Sequence, residues 1–292
     1  MHEILVKESL TPVTRLYEVR APLVAGKARP GQFVIVRVHD RGERIPITVA
    51  DYDRQRGTIT LVVQEVGKTT MQMGTLRVGD RLATLVGPLG RPTEIEEYGT
   101  VICVGGGSSI AAIYPLARAL KEMGNTVLSI IGARTESLIF WEDRIRSASD
   151  ELTVCTNDGS YGREGLVTAP LKEILESGRA VDHVFVIGPA VMMKFCCLAT
   201  LPFGVPTTAS INSIMVDGTG MCGACRVEVG GQTRFACVDG PKFDGHHVNW
   251  DQLLTRQGSY LPEEKLAVER WGQGCGSPES QTRDGDQLQG GP

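Results

Sequence analysis

The chain's chemistry is densest in the run Asp217-Gly218-Thr219-Gly220-Met221-Cys222-Gly223-Ala224-Cys225, followed by Cys237. A plant-type [2Fe–2S] cluster is held by C-x4-C-x2-C and a distant fourth cysteine. Cys222 and Cys225 supply the x2 pair, Cys237 the distant thiolate, and Asp217 stands where the first cysteine of that spacing belongs. A carboxylate ligates iron, and oxygen in place of thiolate alters a cluster's potential. Gly218, Gly220 and Gly223 fit the same chemistry, because backbone N–H groups packed around the sulfurs tune them. The alternative is zinc: the three cysteines with His246 or His247 make a tetrahedral Cys3His set. The glycine-rich loop favours iron–sulfur, since a zinc knuckle does not require all three glycines. Of the other cysteines, Cys103 and Cys155 fall in apolar strand patterns that read as core. Cys196 and Cys197 are neighbours on a helix that point in different directions, and Cys275 stands alone in a polar tail.

A second kind of chemistry is phosphate binding. Gly105-Gly106-Gly107-Ser108-Ser109 lies between an apolar strand pattern and a helical one, where helix N-terminal N–H groups meet a pyrophosphate. In a full G-x-G-x-x-G the third glycine would fall at Ile110, so the match is partial. Arg134, at the end of the next strand, is placed for ribose or a 2′-phosphate, which leaves NAD and NADP both open. Gly188-Pro189, with Met192 and Met193 after it, is a candidate nicotinamide site, the methionines themselves reading more readily as core. Asp158-Gly159-Ser160 is a ligand loop or a plain turn. Nearer the N-terminus, Arg44-Ile45-Pro46-Ile47-Thr48 and Gly67-Lys68-Thr69-Thr70 are candidate flavin contacts, the arginine suited to a diphosphate through charge-assisted hydrogen bonds. No paired carboxylates and no Ser/His/Asp arrangement point to hydrolysis.

The elements that must carry these residues change character along the chain. Residues 4–7, 14–20, 32–38, 47–50, 58–63 and 81–86 are short β-branched or apolar runs, separated by breakers such as Arg29-Pro30-Gly31 and Val78-Gly79-Asp80. That spacing predicts a small antiparallel barrel. From Gly99 the pattern alternates strands and helices: 100–104 a strand, 110–123 a helix with Ile110, Ile113, Leu116, Ala117 and Leu120 on one face, 126–131 a strand. This is an α/β unit with a parallel sheet. Beyond Pro206 come short strands at 226–229 and 233–236, then helices at 250–257 and 263–271. The expected organisation is 1–98 barrel, 99–205 nucleotide-binding α/β domain, 206–271 cluster domain with terminal helices, and 272–292 a disordered tail too polar to offset its ordering entropy.

Composition sets the outer bounds. With 292 residues, 41% hydrophobic and 22% charged, the chain has the make-up of a globular protein of about two domains. Lys+Arg 30 against Asp+Glu 34 gives a net charge of −4, which argues against nucleic-acid binding. Glycine, 35 residues, exceeds the usual roughly 7%, and its excess sits where backbone must approach ligands. The N-terminus lacks the pattern of a signal peptide. The uncharged stretches 101–117 and 195–216 are broken by glycine, proline and polar residues and do not read as membrane spans. A cytoplasmic location is therefore expected.

Taken in order, Arg44-Ile-Pro-Ile-Thr48, Gly67-Lys-Thr-Thr70, Gly87-Pro-Leu-Gly90, Gly105-Gly-Gly107, Asp158-Gly-Ser-Tyr-Gly162, Gly188-Pro189 and the cysteine loop resemble the ferredoxin-reductase superfamily. More narrowly, the chain is similar over about residues 3–260 to the small FAD-containing subunits of NADH-dependent reduced ferredoxin:NADP oxidoreductases, also described as sulfide dehydrogenase subunits. The most specific stretches run from Met215 to Arg226 and from Phe235 to Pro241. The resemblance implies FAD on the barrel, NAD(H) on the α/β domain and a [2Fe–2S] cluster held by Asp217, Cys222, Cys225 and Cys237. It implies Arg44, Pro46, Ile47 and Thr48 near the flavin, with Gly67, Thr69 and Thr70 at its phosphates. It further implies a larger flavin and iron–sulfur partner subunit, electron bifurcation by the complex, and ferredoxin reached through it. Ser109 stands where such proteins usually have glycine, and Ala112 and Ser213 where they have proline. The related electron-transfer subunits of dihydroorotate dehydrogenase typically carry cysteine at the place of Asp217. That residue and the extension from His246 to Trp250 argue against a dihydroorotate dehydrogenase partner, and a hydrogenase diaphorase subunit is a further alternative. A zinc-stabilised interaction module without nicotinamide binding is the reading from another class.

Overall fold

The computed structural model describes residues 2–274; the remainder of the expected tail, with Cys275, lies outside the described residues. Seven strands near the N-terminus form one antiparallel sheet: β1 His2–Thr11, β2 Thr14–Arg20, β3 Phe33–Arg37, β4 Ile45–Asp53, β5 Thr58–Gln64, β6 Arg81–Leu82 and β7 Thr84–Leu89. Their order is β6-β1-β2-β5-β4-β3-β7. The two edge strands, β6 and β7, are consecutive in the chain with only Ala83 between them, so the sheet curls into a nearly closed barrel. Inward residues alternate along each strand, and Tyr17, Val34, Val36, Ile59 and Leu61 fill the interior. Two helices unannounced by the sequence pattern join this region, α1 Pro22–Ala25 and α2 Lys68–Thr75.

The second sheet holds β8 Thr100–Gly106, β9 Thr126–Ala133, β10 Glu151–Thr156, β11 Arg163–Glu164, β12 His183–Ile187 and β13 Thr207–Ser210, all parallel. The helices between them are α3 Ile110–Glu122, α4 Glu142–Ser147, α5 Thr168–Glu176 and α6 Ala190–Thr200. α3 buries the predicted apolar face at Ile110, Ile113, Leu116, Ala117 and Leu120. It ends at Gly124, whose φ of +99° lets its N–H reach back to Lys121 O. Buried Asn125 then ties this corner to the linker from the barrel, accepting from Tyr98 N and donating to Glu96 O.

The order β11-β10-β9-β8-β12-β13 reverses direction at β8. In open parallel sheets, ligands bind beyond the carboxyl ends of the strands at such a switch. The boundary expected at 205/206 does not fall between separate sheets. β13 lies beyond it, and β16 Lys242–Asp244 returns from the cysteine region to pair antiparallel with β13 as the last strand. The cause is local: Ser210 and Lys242 are paired neighbours, so the cysteine region is a loop between two strands of one sheet. Within it, β14 Arg226–Val229 and β15 Gln232–Phe235 form a hairpin, and α7 Trp250–Gln257 and α8 Leu261–Gly274 follow. Residues 272–274, expected in the tail, complete α8. Among the described residues no helix is long and apolar enough to cross a membrane.

Candidate functional site

A cavity of about 170 Å³ opens where the barrel, the carboxyl edge of the second sheet and the start of the cysteine loop meet. Register explains which predicted residues face it. On β4, Pro46 and Thr48 line the cavity, while Ile47, one position out of phase, packs onto the barrel core. From the second sheet come Gly188, just past the end of β12, and Ser109 and Ala112 at the start of α3. β8 and β12 are adjacent, with Ile187 paired to Gly105, so the two glycine turns sit side by side at the switch point. A Cβ on Gly105 would lie 2.7 Å from Ile113 Cγ1, so α3 packs against bare backbone there. Met192 lies across Gly106 and Gly188, whereas Met193 is wholly core. Gly107 takes a φ of +59°, turning the chain into α3.

Gly67 is the N-cap of α2. The Thr70 hydroxyl accepts from Val66 N and Gly67 N, both at 3.0 Å, and donates to Gly67 O. Thr69 donates its hydroxyl to the Glu43 carboxylate. The first backbone N–H groups of α2 remain for an anion. Arg44 has partners no local reading could name: its guanidinium donates to Val216 O at 3.0 Å and to Asp217 O at 3.1 Å. One barrel side chain thereby holds the entry to the cysteine loop.

Beyond β9 and β10, Arg134 is exposed, and Asp158 accepts from Ser160 N and Oγ as the head of a turn. The Ser160 hydroxyl bond holds the Asp158 carboxyl below its usual range. Next to them a larger cleft, about 610 Å³, is walled by Phe140, Trp141, Arg144 and Tyr161. Trp141 has a φ of +57°, a left-handed conformation otherwise confined to glycine among the described residues. The Arg144 guanidinium lies 4.6 Å from its ring centroid. Sequence reasoning passed over this aromatic wall; the adjacent pair Phe140-Trp141, in a chain only 5% aromatic, was the available signal.

In the cysteine loop, Cys225 Sγ lies 3.2 Å from Cys237 Sγ, and both residues are buried. Cys237 N–H also points at Cys225 Sγ. Burial, reinforced by the Cys225 thiol and the nearby Asp217 charge, pushes Cys237 up to about 12, while the Gly220 N–H opposes that push. Asp217 accepts from Thr219 N at 2.7 Å and from Cys222 N at 2.8 Å; the Thr219 bond leads in holding its carboxyl below the usual range. Cys222 is exposed. As they stand, no three His, Cys, Asp or Glu side chains converge on one point among the described residues. The donor set suits an iron–sulfur cluster: a buried soft-sulfur pair, a third thiol three residues away, and a carboxylate at the head of a loop turned by Gly218, Gly220 and Gly223 at positive φ. The histidines needed for zinc are engaged elsewhere, His246 Nε2 with Thr200 Oγ1 and His247 Nδ1 with Asp244. Cys103, Cys155, Cys196 and Cys197 are all buried.

Cavity and cysteines are not separate. Phe33, Ile35, Met215, Ala236, Cys225 and Cys237 form one hydrophobic cluster, and Phe33 and Met215 also line the cavity.

A barrel that presents β4 to the switch point of a parallel sheet, with a cysteine loop packed behind the join, defines a ferredoxin-reductase-type oxidoreductase. The comparisons make this specific. A family model, the iron-sulfur cluster binding domain of dihydroorotate dehydrogenase B, matches residues 212–249. The chain is 47% identical over 279 residues to a dihydroorotate dehydrogenase B (NAD(+)) electron transfer subunit homolog of Thermotoga maritima, covering 96% of this chain and 98% of that protein. It is 32% identical over 245 residues to the electron transfer subunit of dihydroorotate dehydrogenase B from Geobacillus thermodenitrificans, covering 80% and 93%. A solved structure of the NADH-dependent reduced ferredoxin-NADP oxidoreductase, described as giving insights into flavin-based electron bifurcation, superposes with a TM-score of 0.89 at 47% identity over 93% of this chain and 98% of that one. The chain belongs to the family of dihydroorotate dehydrogenase B electron-transfer subunits and their homologues.

Proposed function

We propose that this chain is a cytoplasmic electron-transfer subunit that takes FAD, NAD(H) and a [2Fe–2S] cluster. It passes electrons to or from a larger flavin and iron–sulfur partner within a bifurcating NADH-dependent ferredoxin:NADP transhydrogenase, ferredoxin being reached through the complex. The observation that carries the reading is the shared cluster of Phe33 and Met215, which puts the cavity wall in contact with the Cys225–Cys237 pair. When bound, the flavin exchanges electrons in pairs with a nicotinamide and singly with a cluster.

The protein's role is placement. Pro46 and Thr48 give the flavin rings one wall, with Arg44 and the N-terminus of α2 at Gly67, Thr69 and Thr70 serving its phosphates. Gly105, Gly106 and Gly107 receive the dinucleotide pyrophosphate, Gly188 and Pro189 orient the nicotinamide, and Arg134 and Asp158 flank the adenosine ribose. Phe140, Trp141 and Tyr161 fit the adenine. Ser109 and Ala112 stand on the cavity wall, close enough to limit how deeply the nicotinamide enters. Asp217, Cys222, Cys225 and Cys237 hold the cluster, and exposed Met221, 88% accessible, stands beside Cys222 where a partner would dock.

An anaerobic visible spectrum with iron, sulfide and flavin quantitation, followed by NADH, tests the reading. Flavin bands with broad iron–sulfur absorption that bleach on NADH addition are expected; zinc without flavin or iron overturns it. Asp217→Cys should change the cluster's EPR signature and potential, and an unaltered signal removes Asp217 from the ligand set. The second reading, a partner of dihydroorotate dehydrogenase, is favoured by the match over residues 212–249; dihydroorotate oxidation by the purified complex decides it.

A further inference from the structure

Behind the proposed flavin cavity, a separate polar cavity of about 250 Å³ lies between the linker after β7, the amino end of β12 and strand β16. Lys242 of β16 reaches from it into the barrel, donating from Nζ to Gly31 O and, at 3.1 Å, to Arg91 O. Gly31 is itself part of the flavin-cavity wall. Its φ is +80°, and any side chain added there would run into Lys242 Nζ and Cε. Ser210, paired with Lys242 across β13 and β16, and Pro241, its chain neighbour, line the same wall. The amine thus sits a single backbone layer behind the cavity, carried by a strand of the second sheet and bonded to the barrel and the linker that follows it.

The charged and titratable groups facing this cavity are few and mostly committed. From the linker come Arg91, Glu94 and Tyr98; from β12 comes His183, which burial holds down to about 4. Asp239 accepts from Phe235 N, and Asp244 from His246 N and the His247 ring. Among the described residues no carboxylate pairs with Lys242. Burial lowers the amine to about 7, so its charge responds to small changes nearby at neutral pH.

We propose that Lys242 is a positioning residue that couples the redox charge of the flavin to the protonation of one ammonium behind the cavity wall. The proposal rests on the flavin reading above. When the flavin accepts a hydride, the cavity gains negative charge, and a neighbouring negative charge favours ammonium over amine. Lys242 then takes one proton from solvent through the polar cavity, which Thr93, its hydroxyl buried without a protein partner, also lines. The only bond formed is N–H. When electrons leave toward the cysteines, the proton returns to solvent. The Gly31 carbonyl bond carries the charge change to the wall.

The test is a potentiometric titration of the flavin in the full-length chain between about pH 6 and about pH 9, with Lys242→Met and Lys242→Arg beside the wild type. The wild-type curve of potential against pH should show an extra one-proton step beginning near pH 7. Both variants should lose that step. Lys242→Arg should keep a more positive potential than Lys242→Met, because its charge remains. Superimposable curves for wild type and Lys242→Met, with flavin bound in both, overturn the coupling alone. A wild type that binds no flavin overturns the flavin reading and the coupling with it. If Lys242→Met does not fold by thermal melt, Lys242→Arg decides, since a fixed charge must abolish the step.

Discussion

The carboxyl edge of the second sheet and the cysteine loop flank the same cavity, yet they are held in opposite ways. Gly105, Gly106 and Gly188 reach their positions through the register of β8 and β12 and the buried face of α3, with no side-chain hydrogen bond fixing them. Residues 211–225 contain no strand or helix. Their path is set by side chains: Asp217 accepts two loop N–H groups, Arg44 holds two carbonyls, and Arg256 and Gln257 of α7 hold the carbonyls of Ala224 and Asn212. A site positioned by register spreads its dependence over a whole packed layer, whereas one positioned by a few side chains concentrates it. Substitutions near the sheet should therefore lower stability with binding little changed, and those in the loop should remove the site with the fold intact.

The sharpest way to break this contrast is Cys225→Ser. Iron and sulfide should fall from cluster stoichiometry to near zero while flavin content and melting temperature hold, as metal, sulfide and flavin assays will read. Loss of flavin as well would mean that the two regions are built as one. Arg44→Ala comes next, because it serves both sides. It removes two charge-assisted bonds to the loop, each worth about 1.5–3 kcal/mol, and the cation proposed for the flavin diphosphate. Flavin affinity should weaken at least about tenfold and cluster occupancy should drop in parallel; intact cluster occupancy would show that the loop does not depend on the arginine.

On the sheet side, Ile113→Ala empties a buried position behind Gly105 and should cost about 2–4 kcal/mol in denaturant unfolding, with NADH affinity changed less than the stability. The smallest effect is acid dependence. His183, held down to about 4 chiefly by burial, is neutral when folded and titrates near 6.5 when unfolded. The unfolded chain then binds more protons between those values, so this contribution is intact above about 6.5 and is lost as pH falls toward about 4. His183→Phe should flatten the stability curve in that window, and an unchanged slope would show that another group carries it.

What the sequence made legible follows the same division. The strands of both sheets and α3 declare themselves through period, since each must bury one face, and the Asp217–Cys225 spacing is local enough to read directly. α2 does not declare itself, because Lys-Thr-Thr-Met-Gln-Met-Gly-Thr carries no apolar stripe. Ile47 shows the period-2 rule at work: Pro46 and Thr48 face the cavity, so the residue between them turns to the barrel core. The partners of Arg44 and the return of β16 to the second sheet depend on contacts between distant segments of the chain, which no local window contains. Phe140 and Tyr161 meet across a cleft for the same reason.

The pairing of Ser210 with Lys242 gives the chain an unusual modularity. The segment between them leaves the sheet and rejoins it at neighbouring positions, so its ends meet whatever lies between. Closing a longer loop adds only about 0.6 kcal/mol per doubling of its length. In topological terms the cysteine region is a cassette. Segments of other lengths would close on the same pair of strands with the order of the sheet unchanged.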